Sequence, residues 1–126
     1  MRFMTMIKSV ENAAGPPPKE LMDAIANLGM EAAKGGVKVE PGGLLPSAAG
    51  ALLRLTSDGT ISFKDGPFSE AKELIGGYAI YTVNSKAEAV EWARRFLNLH
   101  KQHWKGWQGE VEVRQLMEFG EFGPPA

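Results

Sequence analysis

Few side chains in this sequence are equipped to move a proton near neutral pH. One is Asp65, which opens the stretch DGPFSEAKELIGGY at residues 65–78. A carboxylate beside Gly66-Pro67 and Phe68 is placed for partial desolvation, which suits it to act as a general base. The competing role is an Asx-turn, in which the side chain bonds the backbone two residues on. The only histidines, His100 and His103, fall in LHKQHWKGWQG at residues 99–109. His100 is the candidate partner for Asp65. Their spacing could share a metal on a helix, but no third ligand pattern lies nearby, so neither a metal site nor a cofactor is expected. Trp104 and Trp107 are candidates to line a ligand cavity or to close a subunit edge.

Cationic residues inside apolar strands are the next signal. Lys8 ends a largely apolar run, where it either snorkels to the sheet edge or anchors an anion. Arg54 and Arg114 present the same choice. Glu73, beside Lys72, is a candidate second pocket carboxylate or half of a solvated ion pair. Phe68 either plugs the core or stacks on a ligand. Gly76-Gly77 suit a β-bulge or a close backbone contact and match no phosphate-binding loop.

These residues need elements to position them. Arg2 to Lys8 reads as a strand that is apolar on both faces. After the loop GPPP, with Pro18 suited to a first helical turn, Leu21, Ile25, Leu28 and Ala32 form one stripe of a helix over 19–34. Gly35-Gly36 ends it, and Gly29 within it would let the helix approach a strand closely. Val37 to Glu40 is a short strand. Ala51 to Thr56 and Thr60 to Lys64 make a hairpin around Ser-Asp-Gly. Tyr78 to Val83 is again apolar on both faces. Ser85 with Glu88 forms a capping box, followed by the apolar face Ala89, Val90, Ala93, Phe96 and Leu97, after which the polar, Trp-rich LHKQHWKGWQG reads as a loop. The final strand, Glu110 to Met117, alternates, and the tail EFGEFGPPA is irregular.

The order β-α-β-β-(β)-β-α-β gives one α+β domain over residues 1–126, two-layered and ferredoxin-like, with two helices on one face of an antiparallel sheet. Two helices cover one sheet face only. The doubly apolar strands would leave a large patch in water on the other, so a homodimer packed through that face is expected.

Composition narrows the function. The chain is 44% hydrophobic and 23% charged, with a net charge of −1. A basic stripe for nucleic acid is absent. Without cysteine, disulfides and thiolate chemistry are excluded. No run approaches a signal peptide or the ~20 apolar residues of a membrane span, so a cytoplasmic protein with no membrane partner is expected.

DGPFSEAKELIGGY, the capped SKAEAVEWARRF at 85–96, GEVEVRQL at 109–116, FGP at 122–124 and the opening MRFMTMIK together resemble the DGPF branch of the YCII-related family. The resemblance implies a ferredoxin-like domain of the dimeric α/β-barrel type. It also implies a His–Asp pair in a small pocket. Some relatives act as dehydrochlorinases on hydroxylated aromatic compounds, and DGPF domains beside sigma-factor regions imply a link to regulation. Asp65 matches the motif's aspartate, whereas KELMDAI at 19–25 has no histidine where the wider family places one. Two function classes follow. One is a non-catalytic sensing module for an unknown small molecule. The other is an acid–base enzyme of lyase, dehydrochlorinase or isomerase type. In that enzyme Asp65 serves as base, His100 assists, and Lys8, Phe68, Glu73 and Arg114 hold an anionic or phenolic substrate.

Overall fold

The computed structural model describes residues 1–11, 13–67 and 73–118. Its elements run β1 (Arg2–Ser9), α1 (Lys19–Lys34), β2 (Lys38–Gly43), a short 3₁₀ turn (Ser47–Ala49), β3 (Ala51–Leu55), β4 (Ile61–Asp65), β5 (Leu74–Thr82), α2 (Lys86–His103) and β6 (Glu110–Gln115). The strands β2-β5-β1-β6 form one sheet in that order, and every neighbouring pair is antiparallel. This is an α+β arrangement compatible with the ferredoxin-like fold. Pro41, which cannot donate to a ladder, lies on the edge strand β2, where that loss is tolerated.

The pleat of β1 sorts its residues. Phe3 and Thr5 point to one side and are buried. Phe3 packs with Tyr81, Val83 and Ala89, and Val37, Val39, Ala79, Trp92 and Val113 close around them. The indole of Trp92 stacks on Tyr81 with 6.1 Å between ring centroids. From the other layer α1 buries Leu21, Leu28 and Ala32 along its predicted stripe. The two helices are joined at their surface by the ion pair of Glu31 with Arg95.

Both helix ends have identifiable causes. Gly36 adopts φ 81° just beyond α1, a conformation that glycine takes without strain. Pro18 is the N-cap of α1, one residue earlier than the first-turn position expected. At α2 the Ser85 hydroxyl accepts the Glu88 N–H at 3.1 Å. The Glu88 carboxylate reaches back to the Asn84 N–H at 2.9 Å, one residue before the usual partner. Ser85→Ala should therefore cost about 1 kcal/mol, seen as a lowered urea midpoint with an unchanged m-value.

Three expectations need correction. Gly29 does not bring α1 onto a strand: it is exposed, and a Cβ there would meet nothing within 4 Å. Gly29→Ala should accordingly stabilise the protein by up to about 1 kcal/mol, readable as a raised melting temperature. The second helix does not stop near Leu97 but runs to His103, so both histidines are helical. The hairpin, finally, forms around Gly59 at φ 86° but pairs only with itself, outside the main sheet.

Among the described residues two apolar surfaces stand out. On the sheet face away from the helices, Met4 stands beside Ile80 and Met6 beside Tyr78, and the Tyr78 ring lies over Gly42. On the hairpin, Leu53 pairs with Phe63 and Leu55 with Ile61, and all four are 65–69% exposed.

Candidate functional site

The predicted site residues fall in four different parts of the fold. Asp65 ends β4 and is exposed, and its Oδ1 accepts the N–H of Gly66 at 3.1 Å, one residue on rather than two. Lys8 and Arg114 lie on the open sheet face. Lys8 donates to Glu112 at 2.8 Å and lies 3.7 Å from Glu110, and Arg114 donates to the other Glu112 oxygen at 3.0 Å. The hydrogen bond to Glu112 raises the pKa of Lys8, and the same bond lowers that of Glu112. Both cations are thus neutralised by their own strand neighbours. Glu73 precedes β5 and is exposed. Phe68 and Lys72 lie outside the described residues.

His100 is 5% exposed in the last turns of α2. Its Nδ1 lies 3.0 Å from the Phe96 carbonyl oxygen. Because a carbonyl can only accept, Nδ1 carries the proton and Nε2 the lone pair. The ring centroids of Phe96 and Trp107 are 4.8 and 4.7 Å away. Burial among these rings pushes the imidazole pKa down, partly opposed by the Phe96 carbonyl. The unfolded chain therefore binds a proton here more readily than the folded one. Its contribution to stability is complete above about pH 6.5 and is lost as the pH falls below it. Within one chain Asp65 and His100 share no hydrogen bond.

A different group of residues forms a cleft of about 150 Å³. Val10 and Glu11 enter it from the loop after β1, and Leu44 and Pro46 from the segment after β2. Ile75 and Gly76 come from β5, and Trp104 and Trp107 from the end of α2. None of Lys8, Asp65, Glu73, His100 or Arg114 lines it. The sequence bends as it does here for local reasons. Ile7 pairs with Gly77 and Lys8 with Ile75, so Gly76 is the extra residue of a β-bulge, the role expected of this glycine pair. The Gly76 carbonyl accepts the Leu44 N–H at 3.0 Å, which pins the upper wall.

Two contacts fix the chemistry of the cleft. The Trp104 indole N–H donates to the Ala14 carbonyl at 3.1 Å, so one wall is oriented. Glu11 accepts the Ser47 N–H at 2.5 Å on one oxygen and the Ser47 hydroxyl at 2.7 Å on the other. Neither Glu11 nor Ser47 stands out in the sequence. A glutamate in a loop carries no pattern, and its partner is 36 residues away.

The DGPF motif does not line the cleft but packs against Ser47, the residue that holds Glu11. The Gly66 N–H donates to the Gly50 carbonyl at 2.8 Å, and a Cβ at Gly66 would overlap the Ser47 carbonyl. The glycine is required for this close approach and not for a left-handed φ, since its φ is not positive. The cis-linked Pro67 follows it.

Among the described residues no three His, Asp or Glu side chains gather as a metal-ligand set, and no helix is long and apolar enough to cross a membrane. Residues 1–119 match the model of the YCII-related domain. The chain is also 37% identical over 73 residues to an uncharacterised protein of Rhizobium meliloti, a match covering 58% of this chain and 54% of that protein. The match thus spans about half the length of that curated relative. A family match over nearly the whole chain, in the order that the motifs run, makes this protein a member of the YCII-related domain family.

Proposed function

We propose that the protein is a non-catalytic small-ligand-binding module that works as a homodimer, in a sensing or regulatory role. The observation that carries the binding half is the cleft beneath Trp104 and Trp107. It has apolar and aromatic walls, and its one titratable side chain among the described residues is Glu11, engaged on both oxygens by Ser47. Such a lining holds a ligand by shape and one polar contact. It offers no paired acid and base for turnover. Of the residues singled out for catalysis, Asp65 does not line it, and His100 lies behind its wall, packed against Trp107.

The homodimer draws support from the two apolar surfaces. An isolated two-stranded hairpin is marginal in water, and one with Leu53, Leu55, Ile61 and Phe63 on a single face gains stability from a partner surface. The open sheet face, centred on Met4, Met6, Tyr78 and Ile80, is the second such surface.

Light scattering at micromolar concentration should give twice the 13.6 kDa chain mass. A stable monomer would remove the dimer. A thermal-shift screen of small acids, phenols and amines tests the binding half. A hit whose shift disappears in Trp107→Leu supports the cleft, and a screen with no hit at millimolar concentration rejects it.

A further inference from the structure

We propose that the cleft selects a small organic ammonium ion, with Glu11 as its counter-charge and the indoles of Trp104 and Trp107 as its aromatic wall. This rests on reading the cleft as a ligand site and goes on to name the chemistry of the ligand.

Charge is the first argument. Among the described residues the lining contains Glu11 and no lysine, arginine or histidine. Several cations elsewhere are spent on acids: Arg2 on Glu118, Lys8 on Glu112, Lys38 on Glu40, Arg95 on Glu31. Among the described residues Glu11 instead receives only the neutral donors of Ser47, which fill one site on each oxygen. A carboxylate offers about four lone-pair sites, so acceptor capacity and negative charge both remain. An anion entering here would meet this charge with no cation to offset it.

The second argument is the aromatic wall. The rings of Trp104 and Trp107 lie 6.0 Å apart at 26°. Trp104 is tied to Ala14, and Trp107 is wedged against His100 and Gly109, where any Cβ would overlap its ring. The faces of fixed indoles carry negative potential and attract ammonium groups more strongly than other aromatic rings do. The adjacent His100 is kept neutral by burial, so it adds no positive charge to this wall.

Size is the third. A space of about 150 Å³ suits a benzene-sized guest. A trimethylammonium or arylmethylammonium group matches that size, whereas a nucleotide or a sugar phosphate would extend beyond the cleft into solvent.

The experiment is calorimetry on the full chain with two matched sets. The first is choline, 3,3-dimethylbutan-1-ol and 3,3-dimethylbutanoate. The second is benzylammonium, benzyl alcohol and benzoate. Within at least one set the cation should bind about tenfold tighter than the neutral isostere, with the carboxylate weakest. Glu11→Gln should bring the cation down to the level of the alcohol and leave the alcohol unchanged. The wild-type comparison stands even if that variant folds poorly. Alcohols that bind as tightly as the cations in both sets overturn the ammonium assignment and leave the small-ligand reading intact. Carboxylates that bind best overturn it as well. If none of the six binds, the ammonium assignment is overturned, and the broader screen separately decides the small-ligand reading.

Discussion

Gly66→Ala is expected to cost the fold about 3 kcal/mol, the upper end of what overpacking usually costs. The added methyl group would meet the backbone carbonyl of Ser47, which cannot rotate away as a side-chain tip can. Either the hairpin end or the 3₁₀ turn must move, and the Gly66–Gly50 hydrogen bond at 2.8 Å goes with it. The damage should reach the cleft, because Ser47 also holds Glu11. Urea denaturation measures the loss, and Gly43→Ala is the control, since a Cβ there meets nothing within 4 Å. Equal stability of the two variants would show that the motif's glycine is not seated against Ser47.

Phe3→Ala should cost more, about 3–5 kcal/mol. Phe3 is 1% exposed at the centre of the core, and its neighbours Tyr81 and Val83 sit on a strand that cannot collapse into the void. Met6→Ala, three residues on and pointing to the opposite face, makes the informative comparison. In a monomer it would cost far less, because one side of the methionine is in water. If the open face is a subunit interface, the same substitution should instead weaken the dimer, so that on dilution it dissociates at a higher protein concentration, measured by light scattering. Equal and large losses of urea stability in both variants at every protein concentration would contradict that division of the strand.

Legibility followed the range of the interactions. The helix over 19–34 was readable to the residue because its stripe and its stopping glycine are local. The hairpin was readable from Ser57-Asp58-Gly59: the Asp58 carboxylate accepts the Thr60 N–H at 2.9 Å and the Thr56 hydroxyl, all within one turn. The end of α2 was missed because LHKQHW is polar and breaks the apolar stripe. A signal was present all the same in Lys101, a cation that suits the negative end of a helix dipole. Trp104 and Trp107 were recognisable as cavity walls by type. Glu11 and Ser47 were not, since their meaning depends on a contact that only the folded chain makes. Lys8 and Arg114 were conspicuous as cations within strands, yet Glu110 and Glu112 across from Lys8, and Glu112 two residues before Arg114, already answered that charge.

The position of β1 has a consequence for how the protein is born. This strand lies inside the sheet, flanked by β5 and β6, with Phe3 opposite both Tyr81 and Gln115. At ordinary rates of synthesis β1 is made on the order of ten seconds before β6. One of its edges awaits β5 for much of that interval and the other awaits β6 until its end, while the greasy hairpin emerges before either partner. Contacts this distant in sequence make for slow folding once the chain is complete. The nascent protein thus lingers as an open-edged, sticky intermediate, the kind of species that chaperones hold, and raising its expression rate should favour inclusion bodies before it increases yield.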